Sequence, residues 1–376
     1  MLFTGAHIFL GEKGFVPGNL AVSGDRIREI LTEGRQEEES EDLGGAYVIP
    51  GLVDIHTHGN SGADFSDGSA EGLRRMGQYL AQNGVTSFAP TSMTLPYDQL
   101  EKAFQTAEEY MKNRPSDGAR VAGVHMEGPY FSEKRKGAQN GAYLKLPDVE
   151  GFRRLQEACG NAVKIVDVAP ELAGAETFIR EVSKYCKVSW AQTDASYEET
   201  RRAFEAGASH VTHLFNGMGP LHHREPGVIP AAAERADVAV ELICDGIHVH
   251  PAVIRMVFRL FPGRVCIISD AMRGCGMPDG EYVLGGQTVI LQDGRACLAD
   301  GTIAGGAKNL FQNMVSAIRF GIRPEEAVLA ATLTPARELG MDAEIGSLAP
   351  GKKADFLVCN ENWELQRVYL DGQRIL

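Results

Sequence analysis

The chain has 376 residues, 44% hydrophobic and 23% charged, enough apolar material for one large domain plus a smaller one and too much for wholesale disorder. A formal net charge of −13 argues against a nucleic-acid-binding surface or attraction to anionic lipid, so an anionic substrate must be met by a local basic pocket. No stretch approaches the roughly 20 apolar residues of a membrane span, and MLFTGAHIFLGEKGF lacks the basic start and small-residue cleavage site of a signal peptide, so none is expected.

Residues 1–48 read as short strands separated by glycine turns, at 3–9, 18–22 and 26–31. The far end has the same texture, with strands at 356–358, 364–370 and 373–376. The two termini are therefore expected to pair into one small β-sandwich, residues 1–49 with 345–376, and to enclose a larger domain, 50–344. Within that domain lie eight apolar runs: 53–55, 85–90, 121–125, 163–168, 188–192, 211–215, 238–244 and 265–269. Amphipathic helical patterns fill most gaps, for example 73–82, 100–111, 152–158, 175–183 and 197–206. β-Branched runs alternating with helices signal a parallel sheet covered on both faces, and eight units predict a (β/α)8 TIM-type barrel. No Gly-x-Gly-x-x-Gly follows the first run, which weakens a dinucleotide-binding alternative. Residues 276–306, with short strands at 282–284, 288–291 and 296–298, predict a β-hairpin insertion. The seven cysteines are scattered, with no Cys-x-x-Cys, and Cys244 and Cys266 lie in apolar runs; buried free thiols in a reducing cytoplasm are expected.

The most informative segment is Ile49-Pro50-Gly51-Leu52-Val53-Asp54-Ile55-His56-Thr57-His58-Gly59. Residues i and i+2 of a strand project to one face, so His56 and His58 can point at a single metal ion from the strand mouth. In a TIM-type barrel, functional groups collect at the C-terminal strand ends. There this chain places Glu127, Gln192, His213, Asp245, His248 and Asp270. Several such groups on one rim are hard to explain as packing, because burying them unpaired is costly.

These residues resemble the amidohydrolase superfamily, and within it the N-acetylglucosamine-6-phosphate deacetylases. The resemblance covers nearly the whole chain and rests on PGLVDIHTHG (50–59), HMEGPY (125–130), THLFNGM (212–218), REPG (224–227), DGIHVHP (245–251), ISDAM (268–272), DGTIAG (300–305) and GSLAPGKKADF (346–356). It implies that Glu127 and His213 are metal ligands, that His56, His58 and Asp270 complete a second metal position, and that Asp270 is the general base. It further implies that Asn216, the backbone at Gly217, Arg224 and His248 hold a sugar phosphate. A metal that polarises the amide and activates water, beside a carboxylate that moves the proton, suits hydrolysis of this poor electrophile.

Two positions depart from the family pattern. Gln139 stands where many members carry a histidine that polarises the substrate carbonyl, and an amide N–H can still donate there. The fifth run ends Trp190-Ala191-Gln192-Thr193, with glutamine in place of a metal-binding histidine. A neutral amide is a poor ligand for zinc-like ions, so about one divalent metal per chain is expected, on His56, His58, Glu127 and Asp270. Zinc, iron, manganese and cobalt all suit such ligands. Three alternatives compete with this reading: an N-acetylgalactosamine 6-phosphate deacetylase, a cyclic-amide hydrolase and a metal-depleted scaffold. The cyclic-amide hydrolases use a lysine at the end of strand four, and none ends the run at 166–171. A homodimer is implied by the resemblance. Lys134-Arg135-Lys136 reads as solvated loop charge.

Overall fold

The computed structural model describes residues 1–31 and 39–376. The two ends of the chain meet in one eight-stranded sheet. Its centre is Tyr47–Pro50, parallel to Leu2–Phe9 on one side and antiparallel to Phe356–Cys359 on the other. Phe3, Phe356 and Tyr369 pack their rings 4.3–5.0 Å apart and join the chain ends through apolar burial. Residues 32–38 of the expected terminal unit lie outside the described residues.

From Leu52 onward, parallel strands alternate with helices. Leu52–Thr57, Val85–Pro90 and Arg120–Val121 form one parallel sheet. Val124–Met126, Val163–Val168, Lys187–Trp190, His210–Val211, Ala239–Ile243 and Val265–Ile268 form a second, in chain order. This second sheet is a parallel half-barrel, consistent with the TIM type. Single bridges, Thr91 with His125 and Thr57 with Ala271, connect the two sheets. The run expected at 121–125 is split at Gly123, where a Cβ would meet Lys164 Cγ at 2.2 Å. Both faces of the wall are covered, so its strands are buried nearly throughout, with only Arg120, Lys164 and Lys187 half-buried.

The helices dock by one stripe each. Tyr97–Lys112 turns Leu100, Ala103, Phe104, Ala107 and Tyr110 inward, at spacings of three and four residues. Tyr197–Ala206 begins in a capping box between Ser196 and Glu199, which satisfies its first free amides. Gly280–Leu284, Gln287–Gln292 and Arg295–Cys297 form a three-stranded antiparallel sheet where the hairpin was expected.

Strands five, six and eight stop earlier than their apolar runs, at Trp190, Val211 and Ile268. The cause lies in the backbone: Gln192, His213 and Asp270 all have positive φ, at 49°, 29° and 47°. Extended pairing cannot continue through such residues, so each ends its strand in a sharp turn. Three non-glycine residues in this costly region at one end of one wall mark it as specialised.

Candidate active site

His56 and His58 leave the first parallel strand with their rings 5.2 Å apart. His58 Nε2 lies 3.3 Å from Glu127 Oε2 and 3.2 Å from Asp270 Oδ1. His56 Nε2 lies 3.4 Å from the same Asp270 oxygen and 4.0 Å from Glu127 Oε2. The other ring nitrogens are tied from behind, His56 Nδ1 to Glu241 Oε2 at 2.8 Å and His58 Nδ1 to the Thr91 carbonyl at 3.1 Å. Each ring is thereby oriented with Nε2 toward the two carboxylates. All four groups are buried.

Two imidazoles and a carboxylate within 4.8 Å of one another form a set able to hold a metal ion. His56 Nε2 is buried without a hydrogen-bond partner and faces the same point. This donor set fits a divalent cation of the zinc-like class.

The electrostatics agree. Burial pulls the His58 pKa down, but hydrogen bonds donated to Asp270 and Glu127 win and hold it well above the usual histidine value. Burial pushes Glu127 up, yet His213 and His58 keep it well below the ordinary carboxylate range. Asp270 is lowered too, because the field of His56 and the contact to His58 outweigh its desolvation. The two carboxylates are therefore held ionised where positive charge is favoured.

Gln192 and His213 sit beside this cluster. His213 Nε2 lies 3.2 Å from Glu127 Oε1 and 3.3 Å from Gln192 Nε2. The Gln192 oxygen is buried without a partner and is pressed over Gly217. A Cβ at Gly217 would stand 2.0 Å from that oxygen, and the backbone there has φ 60°, a conformation that favours glycine. Gln139 is buried and donates from Nε2 to Glu127 Oε2 at 2.7 Å, while its carbonyl accepts from the Thr94 amide. Its remaining N–H meets only Met93 Sδ, at 3.9 Å.

A cavity of about 300 Å³ opens above these groups. Its lining brings together His58, Glu127, Gln139, Gln192, His213 and Asp270 with the expected sugar-phosphate residues Asn216, Gly217 and His248. His248 gives Nδ1 to Asp245 Oδ2 at 2.7 Å, which leaves Nε2 for a ligand. Leu284 of the inserted sheet adds an apolar patch to the wall. Arg224 is not brought in. It is exposed, and its guanidinium lies 2.7 Å from His223 Nε2. Lys134 and Arg135 are both paired with Asp194, so this part of the basic run is tied down at the rim.

Sequence reasoning passed over the polar groups beneath the cluster. Glu241 and Asp167 are single carboxylates inside the apolar runs 238–244 and 163–168, and both are fully buried. Glu241 meets His56 and His210, and His210 Nδ1 reaches Glu338 Oε2 at 2.9 Å. Asp167 takes His125 Nε2 at 3.1 Å and the Thr212 hydroxyl at 2.8 Å. The available signal was an acid inside an otherwise β-branched strand, because such a group must find partners within the wall.

The sequence profile of the amidohydrolase family matches residues 47–375. The chain belongs to the amidohydrolase family. Among curated relatives, this amidohydrolase is 36% identical to the N-acetylglucosamine-6-phosphate deacetylase of Vibrio furnissii, over 91% of the chain and 86% of the relative. It is 35% identical to the N-acetylgalactosamine-6-phosphate deacetylase of Escherichia coli O157:H7, over 87% of each. It superposes with a TM-score of 0.94 and 31% identity on a mutant N-acetyl-D-glucosamine-6-phosphate deacetylase from Mycobacterium smegmatis in complex with N-acetyl-D-glucosamine-6-phosphate. That match covers 100% of this chain and 99% of the other.

Proposed function

We propose that this amidohydrolase removes the acetyl group of N-acetylglucosamine 6-phosphate, releasing acetate and glucosamine 6-phosphate, with about one divalent metal ion per chain. The observation that carries the reading is the convergence of His58, Glu127 and Asp270, with His56 behind them, on a cavity that also presents Asn216, Gly217 and His248. Its volume, about 300 Å³, is at the small end of ligand pockets and suits one sugar phosphate. The names of the relatives support the substrate class.

His56, His58, Glu127 and Asp270 would hold the ion. Bound there, it supplies Lewis-acid chemistry, polarising an amide carbonyl and making water a stronger nucleophile near neutral pH. Asp270, ionised in the folded protein, accepts the proton of the attacking water on its carboxylate and returns it to the departing amine. Gln139 turns its weakly engaged N–H to the acetyl oxygen. Asn216, the Gly217 backbone and His248 take the phosphate, and Arg224, which does not line the cavity, is proposed as a further phosphate contact. The same reading takes the two parallel sheets as one closed (β/α)8 barrel spanning 50–344, with a small terminal β-sandwich from 1–49 and 345–376. It takes the protein as a cytoplasmic homodimer without nucleic-acid or membrane partners. Seven free cysteines agree with a reducing compartment.

The test is acetate and free-amine release from the two acetylated amino-sugar 6-phosphates by metal-loaded protein. Faster turnover of the N-acetylglucosamine compound supports the proposal. Preference for the N-acetylgalactosamine compound would move the assignment to the Escherichia coli relative's activity, and no release from either would overturn it.

A further inference from the structure

Glu241 lies at the middle of Ala239–Ile243, a strand whose five residues are all buried. Its Oε2 meets two of the candidate site residues at once. It accepts from His56 Nδ1 at 2.8 Å and from the backbone N–H of His213 at 3.2 Å. Its Oε1 lies 3.2 Å from His210 Nε2, and His210 continues through Nδ1 to Glu338 at the end of the helix Leu333–Glu338. The carboxylate is thus gripped from both sides and has no room to turn.

The consequence falls on His56. With Nδ1–H given to Glu241, the proton is on that nitrogen and Nε2 carries the lone pair. Nε2 is the buried atom without a hydrogen-bond partner that faces Glu127 and Asp270. The same carboxylate oxygen fixes the turn that carries His213 at φ 29°, so the placement of the two histidines is linked.

We propose that Glu241 is a positioning residue for the metal centre, setting the tautomer and direction of His56 and anchoring the His213 turn without touching the ion or the substrate. This rests on the reading that His56, His58, Glu127 and Asp270 hold a divalent ion. A carboxylate behind a ligating imidazole raises its basicity and locks its ring, and loss of such a partner typically weakens metal binding by about 10- to 100-fold.

The experiment titrates zinc into chelator-stripped wild-type protein and Glu241→Gln against a competing chromophoric chelator. The absorption spectrum of the cobalt(II)-loaded forms is recorded alongside. Glutamine keeps the size of the side chain but can offer His56 either an amide N–H or a neutral oxygen. Expected are a zinc Kd raised by about 10- to 100-fold and a changed cobalt spectrum. A variant that folds and binds zinc as tightly as wild type, with the same cobalt spectrum, overturns the proposal. If Glu241→Gln does not fold, 15N-histidine spectra of zinc-loaded wild type decide. His56 should carry its proton on Nδ1 in a strongly downfield hydrogen bond, and a proton on Nε2 overturns the proposal. Wild-type protein that takes up no zinc or cobalt would remove the metal reading itself, and this inference with it.

Discussion

Gln192 Nε2 lies 3.3 Å from His213 Nε2, where the fifth strand would carry a metal-binding histidine in the family pattern. His213 Nε2 also faces Glu127 Oε1 at 3.2 Å. A protonated ring that donates to Glu127 requires the amide oxygen of Gln192, rather than its nitrogen, on the other side. Either orientation leaves a neutral amide between His213 and Gly217. On the proposed single-metal reading, the Glu127, Gln192 and His213 position is the weaker one for zinc-like ions, because a neutral amide is a poor ligand for them.

Gln192→His should restore an imidazole at that position. Metal content measured by mass spectrometry should rise from about one toward two ions per chain. A variant that stays at the wild-type stoichiometry would show that Gln192 does not limit the second position.

Asp270→Asn should lower kcat by several orders of magnitude, because an amide accepts no proton from water; general acid–base catalysis alone contributes about 10²- to 10⁴-fold. Asp270 is also a proposed ligand, so the assay is run on variant protein whose metal content has been measured. Near-normal turnover by the fully loaded variant would remove Asp270 as the base.

His248→Ala and Arg224→Ala should raise KM for the phosphorylated sugar far more than for N-acetylglucosamine. A charge-assisted contact to phosphate is worth about 1.5–3 kcal/mol, a factor of roughly ten to more than a hundred. His248 lines the cavity and Arg224 is exposed outside it, so paired kinetics separate the two. Equal losses on both sugars would take either residue out of the phosphate site.

His210 should make stability pH-dependent. Burial lowers its pKa, but Glu241 and Glu338 outweigh that and hold it at about 9, against 6.5 for an ordinary histidine. The folded state binds this proton more tightly, so the stabilisation is fully present below about pH 6.5 and is lost as pH rises through about 9. The Tm gap between wild type and His210→Gln should be widest near pH 6 and should narrow toward pH 10. A gap that stays constant across that range contradicts the assignment.

The parallel strands were legible because β-branched runs buried on both faces leave a continuous apolar signature, and Val85–Pro90 and Val163–Val168 fall where the runs do. His56 and His58 were legible because a period of two on a strand has one geometric meaning. The ends at Trp190, Val211 and Ile268 were not, since hydrophobicity carries no information about the positive φ of Gln192, His213 and Asp270. Glu241 was hidden for a related reason. Its importance lies in contacts to His56, 185 residues away, and to His210, 31 residues away, which the fold alone brings together. Arg224 shows the converse, a motif residue whose spacing fits the family while its side chain stays outside the cavity.

The most direct test is to strip the protein of metal and follow acetate release from N-acetylglucosamine 6-phosphate as zinc, or cobalt, is returned in known equivalents. No turnover is expected without metal, followed by a linear rise that saturates at about one ion per chain, on the His56, His58, Glu127 and Asp270 position. Saturation at two ions, or full turnover in the stripped protein, would contradict it.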